Sequence, residues 1–195
     1  MPWGGTKLPG GVTLRHLGRG SRFNDVGGVS ADGRLIAFYD YSTGRGPGLY
    51  DTETKQEKFL ANYSWDGPDY GSGPVVSKDG KWVAFNSYKY AATDAQLRVV
   101  RTDGTGMRTI FGMEGKSWVR PHDWSTDNQQ VLALIVQGTA HLCLVKVSDG
   151  SVRRLREVPG DPNILAKISP DGRYVAYGAS DRKAHVMAVD GSTDD

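Results

Sequence analysis

The sequence is short of cysteine, long apolar runs and excess charge, and each shortage removes a class of protein. Cys143 is the only cysteine among 195 residues, so no internal disulfide can form. With four scattered histidines it makes no zinc-ligand spacing either. The longest apolar run, Val131-Leu132-Ala133-Leu134-Ile135-Val136, falls far short of the ~20 residues with which a helix crosses a bilayer, so no membrane insertion is expected. The opening residues Met1-Pro2-Trp3-Gly4-Gly5-Thr6 show no basic segment before an apolar stretch, so no signal peptide is visible. The 24 Lys and Arg against 22 Asp and Glu leave a net charge of +2, which gives no reason to expect nucleic acid. The densest basic stretch, Arg153-Arg154-Leu155-Arg156, lacks interleaved stacking aromatics. Nucleophile elbows, phosphate loops, dinucleotide fingerprints, His-Glu-x-x-His and calcium loops are absent. No catalytic residue, cofactor or metal site is therefore assigned, and the chain is not expected to be an enzyme.

What the sequence has in excess is glycine, 26 residues or about 13% against a usual 7%, together with nine Tyr and five Trp. No stretch sustains a helical period. Many turns and many aromatics together predict short strands, and the fold class is all-β.

A repeat organises the chain. Ser30-Ala31-Asp32-Gly33-Arg34 recurs as Ser77-Lys78-Asp79-Gly80-Lys81, Ser125-Thr126-Asp127-Asn128-Gln129 and Ser169-Pro170-Asp171-Gly172-Arg173, the Asp residues lying 47, 48 and 44 apart. An apolar run follows each copy: Leu35–Tyr39, Trp82–Phe85, Val131–Leu134 and Tyr174–Tyr177. Asp-Gly predicts a two-residue type I′ hairpin with positive φ at both central positions, and Asn128 tolerates that conformation in the third copy. A second hairpin follows in each unit, at Asp51-Thr52-Glu53-Thr54, Asp103-Gly104, Asp149-Gly150 and Asp190-Gly191. Four short antiparallel strands in about 45 residues are one blade of a β-propeller. The runs are apolar on both sides of their alternation, as expected of sheets covered on both faces.

The expected organisation is an N-terminal tail, residues 1–11, and a propeller, residues 12–195, with units at about 23–60, 70–111, 118–155 and 163–191. The last unit stops after its third strand. Val12-Thr13-Leu14-Arg15-His16-Leu17 resembles the missing fourth strand and could close a four-bladed ring; the alternative is a partial arc of a larger propeller. Self-association is expected if the ring is open.

The Ser-x-Asp-Gly-Arg/Lys-x-Val/Ile-Ala-Phe/Tyr pattern, followed by the Asp hairpin and an Arg-x-Leu strand, resembles the TolB-type, WD40-like propeller repeat of bacterial proteins over about residues 12–191. Such propellers usually have six or more blades and are often one domain of a larger chain. The resemblance implies a periplasmic place and the lack of a visible signal peptide a cytoplasmic one, so the compartment stays open. It identifies architecture far more strongly than function.

Two loops are candidates for contact with a protein or peptide partner. Trp118-Val119-Arg120-Pro121-His122-Asp123-Trp124 opens the third unit, and a rim position would offer Trp118, Arg120, His122 and Asp123 to a peptide or small anion. The alternative packs Trp124 between blades, sets Asp123 on loop amides and leaves His122 merely exposed. Tyr63–Gly71, with Trp65 and Tyr70, is either an aromatic interaction surface or a cover over the ring opening. The leading expectation is a non-catalytic module binding a partner through its loop rim. The other is an accessory gating propeller of a prolyl-oligopeptidase-like or other peptidase whose catalytic domain lies outside this chain.

Overall fold

The computed structural model describes residues 25–63, 69–89, 92–115, 117–158, 164–181, 183–190 and 192, with two short strands before them. Those two, β1 (Thr6–Lys7) and β2 (Thr13–Leu14), pair with each other. The first blade is β3 (Asp25–Val29), β4 (Leu35–Asp40), β5 (Arg45–Asp51) and β6 (Glu57–Phe59). The second is β7 (Asp69–Val76), β8 (Trp82–Lys89), β9 (Ala92–Arg101) and β10 (Arg108–Met113). The third is β11 (Trp118–Trp124), β12 (Gln130–Gln137), β13 (Thr139–Lys146) and β14 (Val152–Glu157). The fourth is β15 (Ala166–Ile168), β16 (Tyr174–Gly178) and β17 (Ala184–Ala188). Every sheet is antiparallel and ordered as the chain runs, so the all-β propeller arrangement is established.

The repeated motif makes the same turn four times, and it is wider than a two-residue hairpin. Ser30 N–H donates to the Leu35 carbonyl (2.9 Å) and Gly33 N–H to the Ser30 carbonyl (2.9 Å), which leaves four residues between the paired ends. Only the fourth residue of the motif takes positive φ: Gly33 at 74°, Gly80 at 69°, Asn128 at 58° and Gly172 at 75°. The type I′ expectation is thus corrected, and the reason lies in the side chains. Ser30 Oγ donates to Asp32 Oδ1 (2.5 Å) and accepts the Leu35 N–H (2.9 Å), while the same Asp oxygen accepts Arg34 N–H (3.0 Å). These bonds hold Asp32 in an ordinary conformation and leave the left-handed one to its successor.

Counting from the motif serine, the sixth residue faces the preceding blade and the seventh the following one. Val83 packs with Ala37 and Leu49 of the first blade, whereas Ala84 joins Val131, Ala133 and Cys143 of the third. Leu132, Leu134, Leu142 and Leu144 then meet Ile168, Val175, Tyr177 and Met187 of the fourth. A fully buried Val or Leu contributes about 1.5–3 kcal/mol, against about 1 kcal/mol for a turn hydrogen bond. Blade-on-blade stacking therefore dominates the stability.

Among the described residues blade 4 is open on its far side. The far face of blade 4 carries Tyr174 (37% exposed), Val186 (45%) and, beside β15, Leu165 (70%), so blade 1 does not cover it. The segment expected to close the ring pairs elsewhere, with Thr13 opposite Lys7 and Leu14 opposite Thr6; the rest of 12–17 lies outside the described residues. A local hairpin closes a far shorter loop than pairing with the last blade would. Among the described residues no fourth strand lies on β17.

Candidate functional site

The innermost strands β3, β7, β11 and β15 lie side by side about the propeller axis. Each is the edge strand of its own sheet, with one side lacking a ladder partner, and this explains how Pro74 and Pro121 sit within them. Three carry a bulge three residues before the motif serine: the registers shift between Val26 and Gly28, Ser72 and Val75, and Pro121 and Asp123. In β11 the extra residue is His122, and the bulge turns it out of strict alternation between buried Pro121 and Asp123.

Asp123 ties three blades together. Its Oδ1 accepts Lys78 Nζ of blade 2 (2.6 Å) and the Trp124 N–H (2.9 Å), and its Oδ2 accepts the Ile168 N–H of blade 4 (3.0 Å). Next to it Trp124 is fully buried and its Nε1–H donates to the Val75 carbonyl of blade 2 (2.9 Å). Lys167 of β15 reaches back to donate from Nζ to the His122 carbonyl (2.8 Å). Lys167 is an exposed residue, but its ammonium lies against the inner strands. Partial desolvation there lowers its pKa, with Lys78 reinforcing the shift and Asp123 opposing it.

His122 is 4% exposed, and its Nε2 has no hydrogen-bond partner. Burial, then the charges of Arg120 and Lys167, push the imidazole down to about 3, so it is neutral at pH 7. Arg120 runs over Gly73 of β7, where an added Cβ would stand 3.6 Å from the Arg120 Cγ. Beyond it Asn86 Oδ1 accepts both Ser72 N–H (3.0 Å) and Ser72 Oγ–H (2.9 Å), and Asn86 Nδ2 donates to Tyr88 Oη (3.0 Å). The Tyr70 ring stacks on Tyr88, centroids 6.3 Å apart, and meets Tyr39 edge-on at 5.5 Å. The inner surface therefore runs from an aromatic, amide-lined end to a cationic end.

The residues read as a rim loop are β11 itself. Arg120, His122 and Asp123 do come together, but along a strand, and His122 is buried where one reading left it exposed. Trp118 packs into the seam between blades 3 and 4 and serves the wall. Tyr70 belongs to β7, and Trp65 lies outside the described residues. Lys167 and Lys78 were missed. Lys167 stands two residues before Ser169 just as Asp123 stands two before Ser125, so superposing the repeats would have placed it on the axis. Among the described residues no group of acids, histidines and cysteine is arranged to hold a metal ion.

Two clefts lie outward of this surface. One, of about 620 Å³ between blades 1 and 2, is lined by Asp32, Arg34, Asp51, Lys58, Asp79 and Asp103. Its charges are engaged locally: Arg34 pairs with Asp51 at 2.9 Å, and Lys58 bonds the Asp103 carbonyl. The other, of about 700 Å³, runs over Phe111, Met113, Ile135 and Cys143 between blades 2 and 3.

The sequence matches no protein-family model and no curated protein. Solved structures do share the fold. TolB from Acinetobacter baumannii superposes with a TM-score of 0.64 at 16% identity, over 86% of this chain and 41% of that one. A structure from a nidogen/laminin complex gives 0.62 at 14% identity, over 95% and 67%. One of two prolyl endopeptidases gives 0.57 at 21% identity, over 83% and 27%. The chain thus spans less than half the length of the TolB chain it matches, and at these identities the likeness is one of fold.

Proposed function

We propose that this chain is a non-catalytic propeller module that holds a protein or peptide partner on the axial surface of its inner strands, through an acidic stretch of that partner. One observation carries the reading. Three cations come to this surface: Lys78 bonds Asp123, Lys167 Nζ donates to the His122 carbonyl, and Arg120 and Lys167 both act on His122. Asp123 is already bonded to Lys78 and two amides. Lys78, Arg120 and Lys167 stand on or beside strands fixed by blade packing, and Tyr70 and Tyr88 flank them with aromatic area suited to peptide contact. A propeller present in a nidogen/laminin complex is consistent with the fold serving as a docking platform.

Selection of displayed random peptides on the purified protein tests this. Acidic sequences are expected to be enriched, and the double variant Arg120→Ala, Lys167→Ala should bind the selected peptide at least about tenfold more weakly. Arg154→Ala on the outer strand β14 should change nothing. Enrichment of uncharged sequences, or equal binding by the double variant, would overturn the proposal. The second reading, a propeller gating a peptidase domain outside this chain, is supported by the likeness to prolyl endopeptidases. A hydrolase domain in the same reading frame would favour it.

A further inference from the structure

We propose that the cleft between blades 2 and 3 is a small-molecule site for an apolar monocarboxylate, an aromatic or aliphatic acid whose body lies on Phe111, Met113 and Ile135 and whose carboxylate pairs with Arg154. This inference is independent of the axial surface. Both walls of the cleft belong to complete four-stranded blades. The seam on the other side of blade 3 is packed with Leu132, Leu134, Leu142 and Leu144. The same two strands turn smaller residues, Ala133 and Cys143, towards blade 2. Room is left on that side, and the resulting cavity of about 700 Å³ lies within the range of about 300–1,000 Å³ usual for small-molecule sites.

Strand alternation sets the walls. On β13, Thr139, His141 and Cys143 share the face turned to blade 2, with Ile135 of β12 opposite His141. Phe111 and Met113 alternate onto the facing wall from β10 and are only partly buried. An aromatic ring, a thioether and a branched chain thus border one space, the kind of lining that takes up the body of an apolar ligand.

The charge of the ligand follows from one guanidinium. Neighbouring arginines on β14 serve opposite sides of the blade. Arg153, opposite Leu144, donates from Nη1 to the Val189 carbonyl of blade 4 (2.8 Å). Arg154, opposite Cys143, borders the cleft, and its charge acts on the Cys143 thiol at the cleft floor. Among the described residues Arg154 has no ion pair and no hydrogen bond. The nearby carboxylate of Glu157 lies instead beside His141 Nε2, at 3.8 Å. A guanidinium fork without a protein partner matches a carboxylate, which accepts two parallel N–H bonds from it. Glu157 disfavours a second negative charge, so the rest of the ligand is apolar.

Calorimetric titration of the full chain with naphthoate, and with its neutral isostere naphthamide, tests the proposal. Naphthoate should saturate one site per chain, and naphthamide should bind at least about tenfold more weakly for want of the charged pair. Arg154→Gln should weaken naphthoate by a similar factor and remove the difference between the two probes. Thr139→Trp, an exchange at an exposed position on the cleft wall, should block both. The axial double variant Arg120→Ala, Lys167→Ala should bind naphthoate as the wild type does. Three results would each overturn the inference: no saturable binding of naphthoate, equal affinity for the two probes, or wild-type binding by Arg154→Gln. Loss of naphthoate binding in the axial double variant alone would assign the acid to the inner strands, which sinks this inference and leaves the axial reading intact.

Discussion

His122 makes stability depend on pH in a window of its own. In the folded chain its imidazole titrates at about 3, because burial and then the neighbouring Arg120 and Lys167 disfavour the cation. In the unfolded chain it titrates at about 6.5. Between those values the unfolded state binds the proton and the folded state does not. Stability is therefore full above about 6.5 and falls as pH drops towards 3. Linkage gives a loss of about 2.5 kcal/mol on going from about pH 7 to about pH 4.5. The motif carboxylates contribute in a different range. Asp32, Asp127 and Asp171 are held below the usual value by the hydroxyls of Ser30, Ser125 and Ser169 and then by backbone amides. Their stabilisation is present above about 3.9 and is lost only as pH falls below it. Urea unfolding of the wild type and of His122→Gln at the two pH values isolates the imidazole. The wild type should lose about 2.5 kcal/mol more than the variant. Equal losses would refute the assignment of a buried, neutral His122.

Other consequences follow from single residues. Removing the carboxylate that joins blades 2, 3 and 4, with Asp123→Ala, should cost about 3–5 kcal/mol in urea unfolding, and Lys78→Met, which leaves the buried Asp123 carboxylate without its cation, should be destabilising as well. Asn128 holds a φ of 58°, so Asn128→Gly should lie within about 0.5 kcal/mol of the wild type and Asn128→Val should lose about 1–2 kcal/mol, read by thermal or urea unfolding. Cys143 is 1% exposed and its thiol is pushed up to about 11, so an aromatic disulfide reagent should titrate it only after unfolding; rapid reaction in the native protein would contradict its burial between blades.

Much of the architecture was legible because it repeats. The Ser-x-Asp spacing sets the blade length, and apolar residues at both the sixth and seventh positions after the serine announce sheets covered on both faces. The turn type was less legible: Asp-Gly alone is compatible with a two-residue hairpin, and only the Ser30–Asp32–Leu35 hydrogen bonds widen it to four. The inner strands were the hardest to read. Pro121 and the charges around it suggest a loop, yet an edge strand facing the axis tolerates a proline that a central strand would reject. Which side of a blade His122 or Trp118 faces depends on a bulge and on the neighbouring blade. The link from Asp123 to Ile168 joins residues 45 positions apart, and no local pattern encodes it.

The central claim is that partner recognition belongs to the axial surface of the inner strands. An amide-resolved NMR titration of the protein with the selected acidic peptide tests it most directly. The account predicts shifts concentrated at Tyr70–Gly73 of β7, Arg120–Asp123 of β11 and Lys167 of β15, with the outer strands β6, β10 and β14 unchanged. Shifts confined to those outer strands or to the clefts between them, with the inner strands silent, would contradict it.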